Sequence, residues 1–236
     1  MTGTGRIVLP FLRTDNCGPT FINMNSPDLK WRHLGLAEYL PTWRAMQTFT
    51  AARDAETPDE IWLLQHPPVY TLGLAGKPEH LLRADTGIPL IKVDRGGQIT
   101  YHGPGQLVAY LLLDMKRRKI GVRALVRKME AIVIDLLGSY GIAARHRADA
   151  PGVYVSDATN GGTEAKIAAL GLRIKKGCCY HGLAFNIDMD LTPFQAINPC
   201  GYAGMAVTQL RALGVDDTLE TVTEKLSQQL LRAFAN

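Results

Sequence analysis

The sequence has few of the features that mark a specialised class of protein. It carries four cysteines in 236 residues, two of them adjacent, and no C-x-x-C pair. That excludes a disulfide framework. It also argues against a zinc site built from Cys178, Cys179, His181 and Cys200, because adjacent cysteines rarely coordinate one tetrahedral ion. The excess of positive charge is small, +4, too little to announce a nucleic-acid binder. No run approaches the roughly 18 apolar residues of a membrane span. The longest, Leu107 to Leu113, has the length of a fully buried strand. The first residues lack a basic segment followed by a long apolar one, so no signal peptide is read there. These absences lead to the expectation of a reducing, cytoplasmic setting, with neither nucleic acid nor membrane as a partner.

Familiar ligand motifs are missing too. "GLAGKP", Gly73 to Pro78, lacks the first glycine of a phosphate-binding loop and has proline where the magnesium-binding hydroxyl belongs. "HGPGQL" lacks the third glycine of the dinucleotide fingerprint. There is no G-x-S-x-G. Repeats and a dividing linker are also absent, so the chain reads as one domain, 1–236.

What is present is a succession of strand-like runs broken by a few helices. "GRIVLPFLRT" reads as a first strand, and Leu34 to about Arg53 as a helix. "IWLLQHPPVYTLG" predicts a strand, a proline corner and a second strand. "IPLIKVDRGGQITYHGPGQLVAYLLLDM" predicts strands around a glycine-rich turn. Apolar residues from Val122 to Leu137 recur at helical spacing, so a strong amphipathic helix ends near Gly141. "GVYV", "KIAALGLRI" and "YHGLAFNIDM" are β-like, with a hairpin loop at Ser156 to Glu164. A last helix opens on a capping pattern, Asp217 to Glu220. The class predicted is α+β, with a mixed or antiparallel sheet flanked by helices.

Three stretches dense in glycine and polar residues are flanked by apolar runs. They are Arg95 to Gln106, Lys166 to Met189, and "INPCGYAG" from Ile197 to Gly204. In the last, Cys200 lies between Pro199 and Gly201, neither of which suits a helix interior or a central strand. A cysteine on such a turn is a filler, a ligand or a nucleophile, and no histidine is near it in sequence to activate it. Cys178 and Cys179 read as neighbours alternating across a strand, one inward and one outward.

The order R-G-G-Q-x-T-Y-H-G-P-G-Q, P-G-V-Y-V, K-I-x-x-L-G-L-R-I, H-G-L-A-x-N and I-N-P-C-G-Y, from about Gln65 to Gly204, resembles the lipoyl(octanoyl) transferases. The resemblance implies transfer of an octanoyl group from acyl carrier protein to a lysine. The acceptors it implies are the lipoyl domains of 2-oxoacid dehydrogenase E2 subunits and the glycine-cleavage H protein. It implies a fold shared with biotin and lipoate protein ligases (class II synthetase-like), with no cofactor and no metal. Cys200 matches the acyl-thioester cysteine and Lys166 the lysine that activates it. Arg95, Gly96, Gly97, Gln98, Ile99, Thr100, Tyr101 and His102 match the substrate-binding stretch. Ala169, Leu170, Gly171, Gly182, Leu183 and Ala184 match the rest of it. One departure is the loop Ser156 to Glu164, longer than the family's usual hairpin.

The chemistry fits those residue types. A thiolate attacks the donor thioester and forms a second thioester of similar energy, and an amine then takes the acyl group to a more stable amide without ATP. A nearby ammonium favours the thiolate over a free thiol. His102 and His181 stand as alternative bases, and backbone N–H groups near Gly171 or Gly201 as oxyanion donors. Tyr101, Leu170, Leu183 and Phe185 are candidate linings of an apolar slot, each equally readable as core. "KRRK" at Lys116 to Lys119, "RHR" at Arg145 to Arg147 and "RIKK" at Arg173 to Lys176 read as a steering surface for an acidic carrier or as solvated faces. The competing reading is an ATP-dependent lipoate or biotin protein ligase, against which the N-P-C-G cysteine and Lys166 argue.

Overall fold

The computed structural model describes residues 28–157, 162–199 and 204–234. The strand expected at "GRIVLPFLRT" lies outside them. The described chain opens with β1 (Leu29–Leu36), α1 (Tyr39–Ala52) and β2 (Asp59–Gln65), with the two strands parallel across the helix. β3 (Val69–Leu72), β4 (Leu90–Lys92) and β5 (Ile99–His102) form a separate three-stranded sheet in the order β4-β3-β5. The chain then returns to the large sheet as β6 (Gln106–Asp114) and crosses α2 (Val122–Ser139). It continues through β7 (Ala144–His146), β8 (Gly152–Asp157), β9 (Thr163–Lys175) and β10 (Cys178–Asn186). β11 (Ala206–Val207) and α3 (Leu219–Phe234) complete it. The large sheet runs β1-β2-β6-β10-β9-β8-β7, with β11 on β9; β1 and β11 pair in parallel and the other neighbours antiparallel. No helix among the described residues is long and apolar enough to cross a membrane.

β6 explains how the layers assemble. Its run is apolar without alternation because both of its faces are covered. Leu107, Ala109, Leu111 and Leu113 pack with Met129, Val133, Leu137, Leu226 and Leu230 of α2 and α3. Val108, Tyr110 and Leu112 pack on the other face, around Met46 of α1. The same two-sided burial corrects the reading of the adjacent cysteines. Cys178 and Cys179 of β10 are both buried, and Cys179 donates to Leu111 O (3.3 Å), its thiol pushed up to about 12 by burial.

Other expectations shift for local reasons. Leu34 to Leu36 belong to β1, so the first helix starts only at Tyr39. The last helix is capped by Thr218, whose Oγ1 accepts from Thr221 N (3.3 Å). Asp217 instead accepts from Lys225 Nζ (2.7 Å) and the Tyr140 hydroxyl (2.8 Å), joining α3 to the end of α2. The hairpin is there, with β8 and β9 paired as far as Asp157↔Thr163, and 158–161 lie outside the described residues. Arginines of two of the three basic runs are engaged within the fold, while Lys175 and Lys176 of "RIKK" are exposed. Arg117 and Arg118 of "KRRK" turn onto the buried Asp59, and Arg145 and Arg147 pair with Glu164.

Candidate active site

A pocket opens between the large sheet and the three-stranded one, with about 500 Å³ of unfilled space including its mouth. Its floor is made by two cross-strand pairs, Gly171↔Gly182 and Ala169↔Ala184, which directly oppose each other on β9 and β10. None of the four has a side chain beyond Cβ, so the sheet surface stays bare there. Gly182 tolerates nothing larger, since a Cβ would lie 2.0 Å from Ala109 O. Val108 and Tyr110 of β6 and Tyr39 of α1 add walls. The turn before β5 closes the other side with Arg95, Gly97 and Gln98, and Ile99, Thr100 and His102 of β5 follow. Arg95 holds this turn by donating to Thr71 O (2.7 Å) and Thr71 Oγ1 (2.8 Å).

His102 and His181 line the pocket, His66 packs against His102 and Tyr110 behind it, and burial keeps all three neutral. His66 is lowered to about 4 and His102 to about 3. His181 is lowered as well, burial outweighing the pull of Asp94. Their hydrogen bonds fix each tautomer. His66 Nδ1 donates to Ala37 O (2.6 Å), leaving Nε2 to accept from the Tyr110 hydroxyl (2.7 Å). Gln106 donates its amide to Asn186 Oδ1 (2.9 Å), so its oxygen accepts from His102 Nδ1 (2.7 Å). His181, at φ +63, donates from Nε2 to Asp94 Oδ1 (3.0 Å). Asp94 also accepts from Trp43 (2.8 Å), Gln47 (3.1 Å) and the Tyr180 hydroxyl. Burial opposes ionisation of Asp94, but these donors hold its carboxyl well below the usual carboxylate range.

Lys166 lies on β9, about 10 Å along the strand from Ala169 at 3.3 Å per residue. It is buried, at 3% exposure. A β-bulge orients it. Val153 pairs with Ala168 but Tyr154 pairs with Lys166, so Ile167 is the extra residue. Without the bulge, Lys166 would share the face of Ala168 and enter the core under α2. With it, Lys166 shares the face of Ala169 and Gly171, the floor of the pocket. The main chain of β11 runs beside it, with Val207↔Lys166 in register and Thr208 N donating to Lys166 O (3.0 Å). Asn186 also donates to Thr208 O (2.9 Å), so one chain of hydrogen bonds links His102, Gln106, Asn186 and the strand flanking Lys166.

The lipoyl protein ligase A/B catalytic-domain family matches residues 38–231. The chain belongs to this family. Among its relatives, an octanoyltransferase of Dechloromonas aromatica (strain RCB) is 62% identical over 201 residues, covering 85% of this chain and 94% of that one. An octanoyltransferase of Nitrosospira multiformis is 62% identical over 202 residues, covering 86% and 90%. Among solved structures, a bi-partite lipoate protein ligase of Thermoplasma acidophilum has the same fold, with a TM-score of 0.68 at 18% identity, covering 88% of this chain and 84% of that one. The α+β lipoate-ligase fold expected from the sequence is the observed one.

Of the residues that match the family's substrate-binding stretch, Arg95, Gly97, Gln98, Ile99, Thr100, His102, Ala169, Leu170, Gly171, Gly182, Leu183 and Ala184 line the pocket. Gly96 and Tyr101 do not. Gly96 donates its N–H to Leu172 O (2.9 Å), tying the turn to β9. Tyr101 packs with Tyr70 and Phe194 on the other side of the small sheet. The expected apolar slot is also built differently. Leu170 and Leu183 border the pocket as residues of its floor strands, but their side chains, like that of Phe185, pack in the core with α2 and α3, because residues alternate across a sheet. Cys200 and Gly201 lie outside the described residues. Sequence reasoning gave no role to Tyr39, Asp94, Gln106, Tyr110 or Asn186. Gln106 and Asn186 stand inside the quoted motifs, and polar side chains in apolar strands were the signal available for them.

Proposed function

We propose that this protein transfers an octanoyl group from acyl carrier protein to lipoyl-accepting proteins through a thioester on Cys200, with Lys166 as its acid–base partner. The transferase activity is carried by identity of about 60% to octanoyltransferases over most of both chains. The observation that supports the cysteine–lysine pair is the parallel pairing of Ala206–Val207 with Ala165–Lys166. It lays Val207, seven residues after Cys200 in the sequence, against the lysine.

The thiolate of Cys200 attacks the donor's thioester carbonyl. The new C–S bond replaces that to the carrier, whose sulfur leaves with the proton of the Lys166 ammonium. The acceptor lysine then attacks as a neutral amine, its surplus proton passes to Lys166, and Cys200 leaves as thiolate. The bare floor of Gly171, Gly182, Ala169 and Ala184 receives the acyl chain. The lipoyl domains of 2-oxoacid dehydrogenase E2 subunits and the glycine-cleavage H protein are the acceptors that fit, and one domain carries the reaction in a cytoplasmic setting. ATP-dependent ligation is disfavoured, since the lipoate protein ligase resembles this chain in fold at 18% identity.

The test is mass spectrometry of the protein mixed with octanoyl-carrier and no ATP. One octanoyl group is expected on Cys200, and Cys200→Ser is expected to transfer at least about 100-fold more slowly. An unmodified Cys200, or undiminished transfer by the variant, rejects the thioester route.

A further inference from the structure

The segment Pro151–Tyr154 meets the end of the Lys166 side chain. Lys166 Nζ donates to Pro151 O (3.2 Å) and stands 5.0 Å from the centre of the Tyr154 ring. Both contacts suit a cation, one through a carbonyl dipole and the other through the negative face of the ring. The ring is held by its own hydroxyl, which donates to Ala150 O (2.7 Å).

Gly152 lies between these contacts. Its φ is +149, in a region that side-chain-bearing residues avoid. A Cβ there would lie 2.8 Å from Lys166 Cε, 3.1 Å from Nζ and 2.8 Å from Ala168 O. Glycine is thus needed twice, for the backbone conformation and for the space the lysine fills. Its N–H donates to Oε1 of the buried Glu130 (3.0 Å), so α2 pins the residue against which the lysine rests. The charged groups around this arrangement are Glu130 and Arg147. Arg147 also packs on the Tyr154 ring and pairs with Asp149 and Glu164.

We propose that Gly152 is a positioning residue for Lys166, forming with the Pro151 carbonyl and the Tyr154 ring a seat, fixed by Glu130, that aims the ammonium at the nucleophile. This rests on Lys166 being the partner of Cys200. The bulge at Ile167 turns the lysine to the pocket face, and the seat then sets how far along β8 its ammonium lies. A Cβ at 152 takes up the space of the last two atoms of the lysine chain and pushes the ammonium away.

The experiment compares wild type, Gly152→Ala, Tyr154→Leu and Lys166→Ala. Folding is checked by thermal melting, turnover by octanoyl transfer, and the thiolate by the pH dependence of Cys200 alkylation without substrate. For Gly152→Ala, kcat is expected to fall on the order of 10- to 100-fold, as for a displaced catalytic group, with the donor KM within about twofold. Its alkylation profile is expected to move up toward that of a free thiol, near pH 8.5. Tyr154→Leu, which keeps apolar volume, is expected to move both readings the same way by a few-fold. A folded Gly152→Ala with unchanged kcat and profile overturns the seat while Lys166→Ala remains inactive. If Gly152→Ala does not fold, an unchanged Tyr154→Leu overturns it. If Lys166→Ala itself keeps full activity and an unmoved profile, the cysteine–lysine reading falls and the seat with it.

Discussion

The two ends of β6 carry buried polar clusters built on opposite plans. At the Asp114 end, Asp59 takes ion pairs from Arg53, Arg117 and Arg118 and accepts the N–H of Asp114. At the Gln106 end the groups are uncharged, His102, Gln106 and Asn186 in one chain and His66 with Tyr110 beside it. The first cluster saturates a charge and ties the loop after β6 to β2 and to the last turn of α3, where Arg118 donates to Phe234 O (2.7 Å). The second leaves no net charge, fixes each ring's tautomer, and borders the pocket. Saturated charge at one end holds the fold together. Fixed neutral polarity at the other keeps the lining the same across a wide pH range.

The comparison breaks most sharply at Asp59. Asp59→Ala leaves three guanidiniums around an empty acceptor position and is expected to cost about 3–5 kcal/mol of stability. That lowers the melting temperature by roughly 6–20 °C in a chain of this size. Transfer activity per folded molecule is expected to stay within about twofold. A large loss of activity at unchanged melting temperature would reverse the roles of the two ends.

Acid attacks the other end. An unfolded histidine titrates near 6.5, while folded His66 titrates at about 4 and His102 at about 3. Above pH 6.5 both states are neutral and stability is full. Below it the unfolded chain alone takes up protons, so stability falls by about 1.4 kcal/mol per pH unit for each histidine until the folded value is passed. For His66 the total reaches about 3 kcal/mol. Urea midpoints between pH 7 and 4.5 are expected to decline, and His66→Gln to flatten the slope; a slope identical in that variant rejects this origin.

The smallest effect sharpens the link between the pocket and Lys166. Gln106→Leu takes partners from both His102 and Asn186, at about 1–3 kcal/mol of stability. Because Asn186 also holds Thr208, transfer is expected to slow about tenfold, more than Asp59→Ala slows it per folded molecule. Equal rates for the two variants would remove the distinction.

Most of the described elements were legible in the sequence because their signals are local. Alternation, helical spacing and glycine turns located β2 to β6, α2, β8 to β10 and α3. β1 was hidden because "LKWRHLGL" mixes polar and apolar residues and lies partly exposed. β7 and β11 have three and two residues, too few to show a period. The glycine-rich motifs were legible as a group, and twelve of the fourteen residues matched to substrate binding do line one pocket. What each side chain does was not: Leu170 and Leu183 border the pocket but send their side chains into the core, and Tyr101 faces away from it, through sheet alternation that a motif does not record.

The sequence by itself determined the family and the small residues of the pocket floor, and it supplied the residue types proposed for the chemistry. These are properties of short segments, carried by identity and spacing. Only the tertiary structure decided the direction of Lys166, since one extra residue at Ile167 moves a side chain from one face of a sheet to the other. Only the fold could bring Glu130 of α2 to Gly152, or Arg117 and Arg118 onto Asp59 rather than to the surface. Such contacts join residues 22 to 59 positions apart, and the position of neither partner in the sequence contains the other.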